Sequence, residues 1–155
     1  MSFQVNPLSS ALFQHLYNKS DDELLTVGAH AYIADEYPGF PCRVELRDAE
    51  PGERLILTNF QHQSAGSPYK SSHAIFIIDG AVEQRPNPNE VSKVLARRQL
   101  SVRAFDTTGM MLDGVIVDGA DAANCFNVLL ENTEVEYLHT HYAGRGCFAA
   151  KVTRN

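Results

Sequence analysis

The chain of 155 residues carries a formal net charge of −6, and 44% of its residues are apolar and 21% charged. This length and composition fit one domain over residues 1–155 with a sizeable hydrophobic core. The acidic balance argues against a general nucleic-acid binder or a binder of anionic membranes. No apolar run is long enough to span a membrane.

The cysteines and the first residues indicate where the protein resides. The chain has three cysteines, Cys42, Cys125 and Cys147, which are odd in number and far apart. This usage fits free thiols in a reducing compartment better than a disulfide framework. Residues 1–7 show no basic region followed by an apolar stretch, as a secretory signal would require. We therefore expect a cytoplasmic protein.

Breaker residues and hydrophobic periodicity divide the chain into short strands and a few helices. Ser20 and Glu23 have the spacing of a capping box, which predicts a helix start at that point. In chain order, we predict a strand over 3–5, a helix from Ser9 or Ser10 to Tyr17, a helix over 20–28, and strands over 29–34, 43–46, 54–60 and 73–78. There follow a helix over 89–97, strands over 100–105 and 111–117, a helix over 120–130, and strands over 135–141 and 147–152.

These elements predict an α+β fold. Strands 100–105 and 111–117, and the last two strands, are close enough in sequence to form hairpins, so the sheet is expected to be largely antiparallel. Strand 73–78 is apolar on both faces and is expected to be central. The helices are few and are expected to pack mainly on one side of the sheet. Residues 61–71 and 79–89 are predicted to be polar surface loops.

The most informative segment is the last predicted hairpin, which contains two histidines and a cysteine. Alternate side chains of a strand share a face, so His139 and His141 point the same way. If residues 142–146 form the loop, His141 pairs with Cys147, and two imidazoles and a thiol lie together. A shorter loop opposes Tyr142 to Cys147 instead. The sequence leaves both registers open.

Three segments resemble a bacterial family of unknown function, DUF1203. They are DEYPGFPCR at residues 35–43, SPYKSSHAIF at 67–76, and HTH at 139–141 with RGC at 145–147. The resemblance extends over nearly the whole chain, because the family consists of proteins of about this size. It implies a common fold and brings no mechanism, so function has to be argued from the site.

A pocket for a small anionic ligand is the interpretation that requires the least exact placement of the side chains. Arginine offers fork-shaped donors to carboxylates and phosphates, and histidine adds proton chemistry near neutral pH. The usual alternative is that each arginine pairs with a surface carboxylate. We expect Arg103, which has apolar neighbours, and Arg145, which lies between two glycines, to be less prone to such pairing. Candidate ligand-binding residues are Arg43, Tyr69, His73, Arg103 and Arg145, with His139 and His141.

Two catalytic hypotheses use the same segments. Zinc accepts histidine and cysteine ligands, so His139 and His141 could bind the metal with Cys147 or His73 as a third ligand. Alternatively, a cysteine, Cys42 or Cys147, acts as nucleophile with a histidine base. If the pocket is catalytic, His139 or His141 is the acid–base group.

A protein-interaction module is the competing non-enzymatic interpretation. The polar loops at residues 61–71 and 82–89 would then form the contact surface, because binding residues often lie on loops held by a rigid scaffold. The sequence does not decide between ligand binding, catalysis and protein interaction.

Overall fold

The computed structural model describes residues 2–155 and is rich in sheet, with 38% of residues in strands and 18% in helices. The strands form two five-stranded sheets. The strands are β1 (Phe3–Asn6), β2 (His30–Ile33), β3 (Pro41–Cys42), β4 (Arg47–Asp48), β5 (Arg54–Gln63), β6 (Ser71–Ile78), β7 (Gln99–Phe105), β8 (Met111–Asp118), β9 (Tyr137–Tyr142) and β10 (Phe148–Arg154). The α-helices are α1 (Asp21–Leu25), α2 (Lys93–Ala96) and α3 (Ala122–Glu131), and short 3₁₀ turns cover Ser10–Leu12, Gln14–Leu16 and Gly119–Asp121.

The first sheet has the strand order β1-β10-β9-β7-β8, and its neighbouring strands are antiparallel. One face of this sheet packs against α2 and α3. Phe126 of α3 meets Phe3 of β1 edge to face, with ring centroids 5.2 Å apart. Leu100 and Leu138 from the sheet are buried in the same core as these two rings.

The second sheet has the order β2-β5-β6-β3-β4 and is built around the long β5–β6 hairpin. Its single parallel contact within residues 2–155 joins β3 to β6, where Cys42 lies opposite Phe76. The core of this sheet contains Ile75 and Ile77 of β6, with Leu24 of α1 and Leu16 of a 3₁₀ turn. Each sheet therefore has its own hydrophobic core and its own helices.

The largely antiparallel pairing and the small number of helices were predicted, but the fold is richer in sheet than a balanced α+β protein, and its layout differs from the prediction. We expected one sheet with helices mainly on one side, whereas there are two sheets and each is covered by different helices. Periodicity identifies strands, and it carries no information about which distant strands pair. No helix in residues 2–155 is long and apolar enough to cross a membrane.

Several predicted elements change their bounds. Residues 43–46 were predicted to be a strand but form the turn between β3 and β4, where Leu46 takes a φ of 52° and donates its N–H to the carbonyl of Cys42. The predicted helix over 89–97 shortens to α2, because Asn89 has a φ of 64° and Ser92, the residue before Lys93, is still extended with a ψ of 149°. The capping-box prediction is confirmed, since Ser20 Oγ accepts from the Glu23 N–H at 3.1 Å.

Candidate functional site

The final hairpin adopts the shorter of the two loops. The Tyr142 N–H donates to the carbonyl of Cys147 at 2.9 Å, and the Gly146 N–H donates back to Tyr142 at 2.8 Å. His141 pairs with Phe148, and a bulge follows in β10. Cys147 therefore opposes Tyr142 and does not join the face of His139 and His141. The interpretation that a thiol converges with two imidazoles is wrong for this reason.

The two histidines of β9 lie instead against a third histidine from the second sheet. The ring of His62 in β5 has its centroid 4.8 Å from His141 and 6.3 Å from His139, and it stacks on Phe148 at 5.7 Å. His139 and His141 are themselves 6.4 Å apart. We call His62, His139 and His141 the histidine cluster.

Sequence analysis missed His62 because it fell in the predicted loop over 61–71. In the structure, β5 continues to Gln63. The signal was present, since Phe60 and His62 continue the alternation of the preceding strand and therefore share a face. Had the predicted strand been extended to His62, the sequence would have placed this histidine on the same face as Phe60.

Burial determines the protonation of the histidine cluster. His139 and His141 are 4% and 1% exposed. Burial lowers the pKa of each to about 3, and the nearby charges, including Arg103 and Lys151, act in the same direction on His139. Burial also lowers the pKa of His62. The cluster is thus a set of neutral imidazoles at neutral pH.

The histidine cluster has unpaired ring nitrogens but no arrangement for a metal. Nδ1 of His62, Nδ1 of His139 and Nε2 of His141 are buried and have no hydrogen-bond partner among residues 2–155. Nevertheless, no three His, Cys, Asp or Glu side chains within residues 2–155 are arranged to hold a metal ion. Cys147 lies on the other face, and His73 Nδ1 is 2.9 Å from the Ala74 carbonyl. The third ligand that the zinc hypothesis expected, Cys147 or His73, therefore does not join His139 and His141 in the described chain, where His62 lies beside them instead.

A cavity of about 830 Å³ lies apart from the histidine cluster and is lined by residues from both sheets. Of the predicted site residues, Arg43, His73, Arg145 and Cys147 line it. The remaining ones, Tyr69, Arg103, His139 and His141, do not. The structure thus divides the predicted site into a cationic cavity and a buried histidine cluster.

Arg43 is the most buried of the arginines that line the cavity and is only 1% exposed. Its Nε donates to the Phe148 carbonyl at 2.8 Å, its Nη1 to the Pro41 carbonyl at 2.6 Å, and its Nη2 to Cys147 Sγ at 3.1 Å. The guanidinium lies 5.1 Å from the centroid of the Tyr142 ring. No carboxylate of residues 2–155 forms an ion pair with it.

Two further arginines line the cavity, and they differ in exposure and in ion pairing. Arg98, which sequence analysis did not single out, lies 5.2 Å from the Tyr142 ring and pairs with the buried carboxylate of Asp48. Arg145 is exposed on the hairpin turn and has no ion-pair partner in the part of the chain that the structure describes. Asp35 and Glu36 also line the cavity, and both are exposed.

Another part of the cavity lining is aromatic. Phe76 of β6 meets Tyr32 edge to face at 5.5 Å and Phe40 at 5.4 Å. All three rings line the cavity, together with Ile33 and Leu57. The cavity is therefore amphipathic.

Arg103 and Tyr69 belong to the surroundings of the histidine cluster. Arg103 lies directly opposite His139 in the β7–β9 ladder, and burial lowers the pKa of its guanidinium. As predicted, Arg103 forms no ion pair with another described residue. Tyr69 meets Phe105 edge to face at 6.2 Å, and Phe105 lies 5.1 Å from His139.

Comparison with protein families identifies the chain. The family described as "protein of unknown function (DUF1203)" matches residues 39–154. The chain belongs to DUF1203. Comparison of this DUF1203 chain with curated proteins and with solved structures gives no match. The matched region includes Arg43, Arg98 and Arg145 as well as the histidine cluster, whereas Tyr32 lies before it.

Proposed function

We propose that this DUF1203 protein binds a small anionic ligand in the cavity of about 830 Å³. The observation that carries the proposal is Arg43, a buried guanidinium without a carboxylate partner in residues 2–155. We further propose that residues 1–155 act as one DUF1203-like domain in the cytoplasm, a location that the free thiols of Cys42, Cys125 and Cys147 support.

The energetic argument concerns the cost of burying a charge. A cation removed from water loses several kcal/mol of hydration, and neutral hydrogen bonds only partly replace it. Arg43 has carbonyl, thiol and aromatic partners, all formally uncharged. A ligand carboxylate or phosphate would supply the missing countercharge and accept charge-assisted hydrogen bonds.

The other cations support the same ligand class. Arg145 is exposed and unpaired among the described residues, so it is available to a ligand that enters from solvent. Arg98 is held by Asp48 and adds less net charge. His73 also lines the cavity, but its Nδ1 already donates to the Ala74 carbonyl at 2.9 Å. In a chain with net charge −6, this local cluster discriminates ligands by charge.

The cavity also suggests what the rest of the ligand is like. Its volume lies within the range of small-molecule sites, about 300–1,000 Å³. Tyr32, Phe40 and Phe76 offer an apolar wall near the arginines. We therefore favour a small acid with an aromatic or branched apolar body over a purely polar anion.

The test is a thermal-shift titration with phenylacetate, and with inorganic phosphate as the anion without an apolar body. A ligand of the native state raises the melting temperature. We expect phenylacetate to give the larger shift. Arg145→Gln should weaken binding by about tenfold, because it removes one charge-assisted hydrogen bond.

Arg85→Gln is the matched control, since Arg85 is also exposed and lies outside the cavity. It should bind both anions as the unmodified protein does. Arg43→Met should abolish binding, and circular dichroism will show whether this variant still folds. If neither anion raises the melting temperature of the unmodified protein, or if Arg145→Gln and Arg85→Gln bind equally, the proposal fails.

A further inference from the structure

We propose that Cys147 is a covalent acceptor in this cavity, whose sulfur bonds to an electrophilic carbon of an anionic ligand. The inference rests on the proposed anion site and names the chemistry that the site performs. Cys147 lines the cavity, as do Arg43 and Arg145. A thiol and two cations therefore face the same space.

The contact between Arg43 and Cys147 is the decisive feature. Nη2 of Arg43 donates to Cys147 Sγ at 3.1 Å, while Nε and Nη1 are used by backbone carbonyls. Sγ is thus the one side-chain acceptor of this buried guanidinium among residues 2–155. The thiolate is the reactive form of cysteine, and an adjacent arginine stabilises its negative charge.

The other two cysteines lack this environment and serve as internal comparisons. Cys42 is buried outside the cavity, where its sulfur accepts from the N–H groups of Ile78 at 3.3 Å and Glu45 at 3.5 Å. Burial raises the pKa of the Cys42 thiol. Cys125 is half-buried in α3, and burial followed by the charge of Asp113 raises its pKa.

The step is a nucleophilic substitution at carbon. The thiol proton passes to solvent or to the imidazole of His73, which lines the same cavity. The sulfur electron pair then forms the S–C bond, while the bond from carbon to the leaving group breaks and the leaving group departs with that electron pair. With iodoacetate, the leaving group is iodide, and the carboxylate lies beside the arginines.

Iodoacetate and iodoacetamide provide the test, because they share the reactive carbon and differ in charge. The rate of alkylation at each cysteine is measured by peptide mass spectrometry, in the folded full-length protein and in denaturant. The denatured chain gives the intrinsic ratio of the two reagents. On folding, we expect the ratio at Cys147 to shift toward iodoacetate by about tenfold, since a cationic cleft concentrates anions.

Variants test whether the preference of Cys147 for iodoacetate comes from the cavity. Arg145→Gln should reduce the preference for iodoacetate at Cys147, whereas Arg85→Gln should leave it in place. Cys125→Ser should leave the labelling of Cys147 unchanged. If folded Cys147 is inert, or if its reagent ratio equals that of the denatured chain, the inference is overturned.

The two proposals fail in distinguishable ways. If phenylacetate stabilises the unmodified protein but Cys147 is inert, the anion site survives and the covalent step is refuted. If Cys147 reacts without preference and no anion stabilises the protein, both proposals are refuted. Phenylacetate has no leaving group on its carbon and cannot alkylate the thiol, so the two readouts are independent.

Discussion

Asp48 is a buried carboxylate that bridges two arginines beside the cavity. Its side chain is 0% exposed, and it accepts from Arg97 at 3.0 Å and from Arg98 at 2.5 Å. Because Arg98 in turn lies near the Tyr142 ring, Asp48 holds part of the cavity wall in place. Replacing one member of a buried ion pair leaves the other charge without compensation.

We predict that Asp48→Asn lowers the free energy of unfolding by about 2 kcal/mol, less than a fully buried pair would lose, because both arginines are partly solvated. The measurement is urea unfolding at neutral pH. Asp21→Asn is the matched control, since Asp21 pairs with Arg54 at 2.9 Å but is 81% exposed. It should change stability by less than about 0.5 kcal/mol. Equal losses in the two variants would contradict this account.

At the residue scale, the sequence predicted which side chains are free of ion pairs better than it predicted which side chains lie close together. Arg103 and Arg145 were predicted to escape surface ion pairs, and neither has one among the described residues. Arg98 was missed because nothing in its neighbourhood distinguishes it from a solvated arginine. Its importance comes from Asp48, fifty positions earlier in the chain, and from the Tyr142 ring. Such contacts depend on the tertiary fold.

At the scale of elements, the 3₁₀ turn Gly119–Asp121 packs closely against α2. A Cβ at Gly119 would lie 2.0 Å from the Leu95 carbonyl oxygen and 2.5 Å from that of Arg98. These are backbone atoms and cannot rotate away. The Gly119 N–H also donates to the Arg98 carbonyl at 2.8 Å, so the approach is fixed by a hydrogen bond.

Gly119→Ala should therefore cost at least about 2 kcal/mol of folding free energy, because overpacking forces the backbone apart. Thermal and urea unfolding would measure the loss. Gly66→Ala is the control, since a Cβ added at Gly66 would have no atom of the described residues within 4 Å and Gly66 has no positive φ. A tolerated Gly119→Ala would show that α2 and this turn can separate at little cost.

Local signals predicted the elements well where the chain pairs with its near neighbours. The β7–β8 and β9–β10 hairpins were expected from sequence, and the capping box correctly marked the start of α1. The turn after Cys42 was not predicted. Residues 43–46 alternate between polar and apolar side chains as a strand does, and the positive φ of Leu46 depends on the tertiary fold. The register of the last hairpin was undecided for a similar reason. One residue in its loop determines which face receives Cys147.

At the scale of the whole molecule, the histidine cluster joins the two sheets. His62 comes from the second sheet, and His139 and His141 come from the first. Phe60 of the second sheet and Phe148 of the first also meet at this junction, with ring centroids 6.0 Å apart. The sequence did not predict that His62 of the second sheet packs against His139. Local periodicity identifies strands, but it carries no information about how the two sheets pack together.

This junction makes the stability of the protein depend on pH. The folded pKa of His139 and of His141 is about 3, against 6.5 when exposed. Between these values the unfolded chain binds more protons, so stability rises with pH and falls as the pH drops below about 6.5. After burial, the neighbouring histidines and the cations Arg103 and Lys151 lower the pKa of His139 further. For His141, the hydrogen bond with the Gly146 carbonyl raises the pKa and offsets part of the effect of burial.

We predict that unfolding free energy falls by at least about 1 kcal/mol between pH 6 and pH 5, measured by urea unfolding, since one such histidine contributes up to about 1.4 kcal/mol per pH unit. Hydrogen bonds from Arg47 lower the pKa of Glu53 to about 2. Protonation of this carboxylate therefore affects stability only below about pH 4.5 and does not contribute to the slope between pH 6 and pH 5. His139→Gln should reduce the pH 6 to 5 slope in part, because His141 remains, whereas His30→Gln, at an exposed position, should leave it unchanged. An unchanged slope in His139→Gln would mean that the sheets separate in acid for another reason.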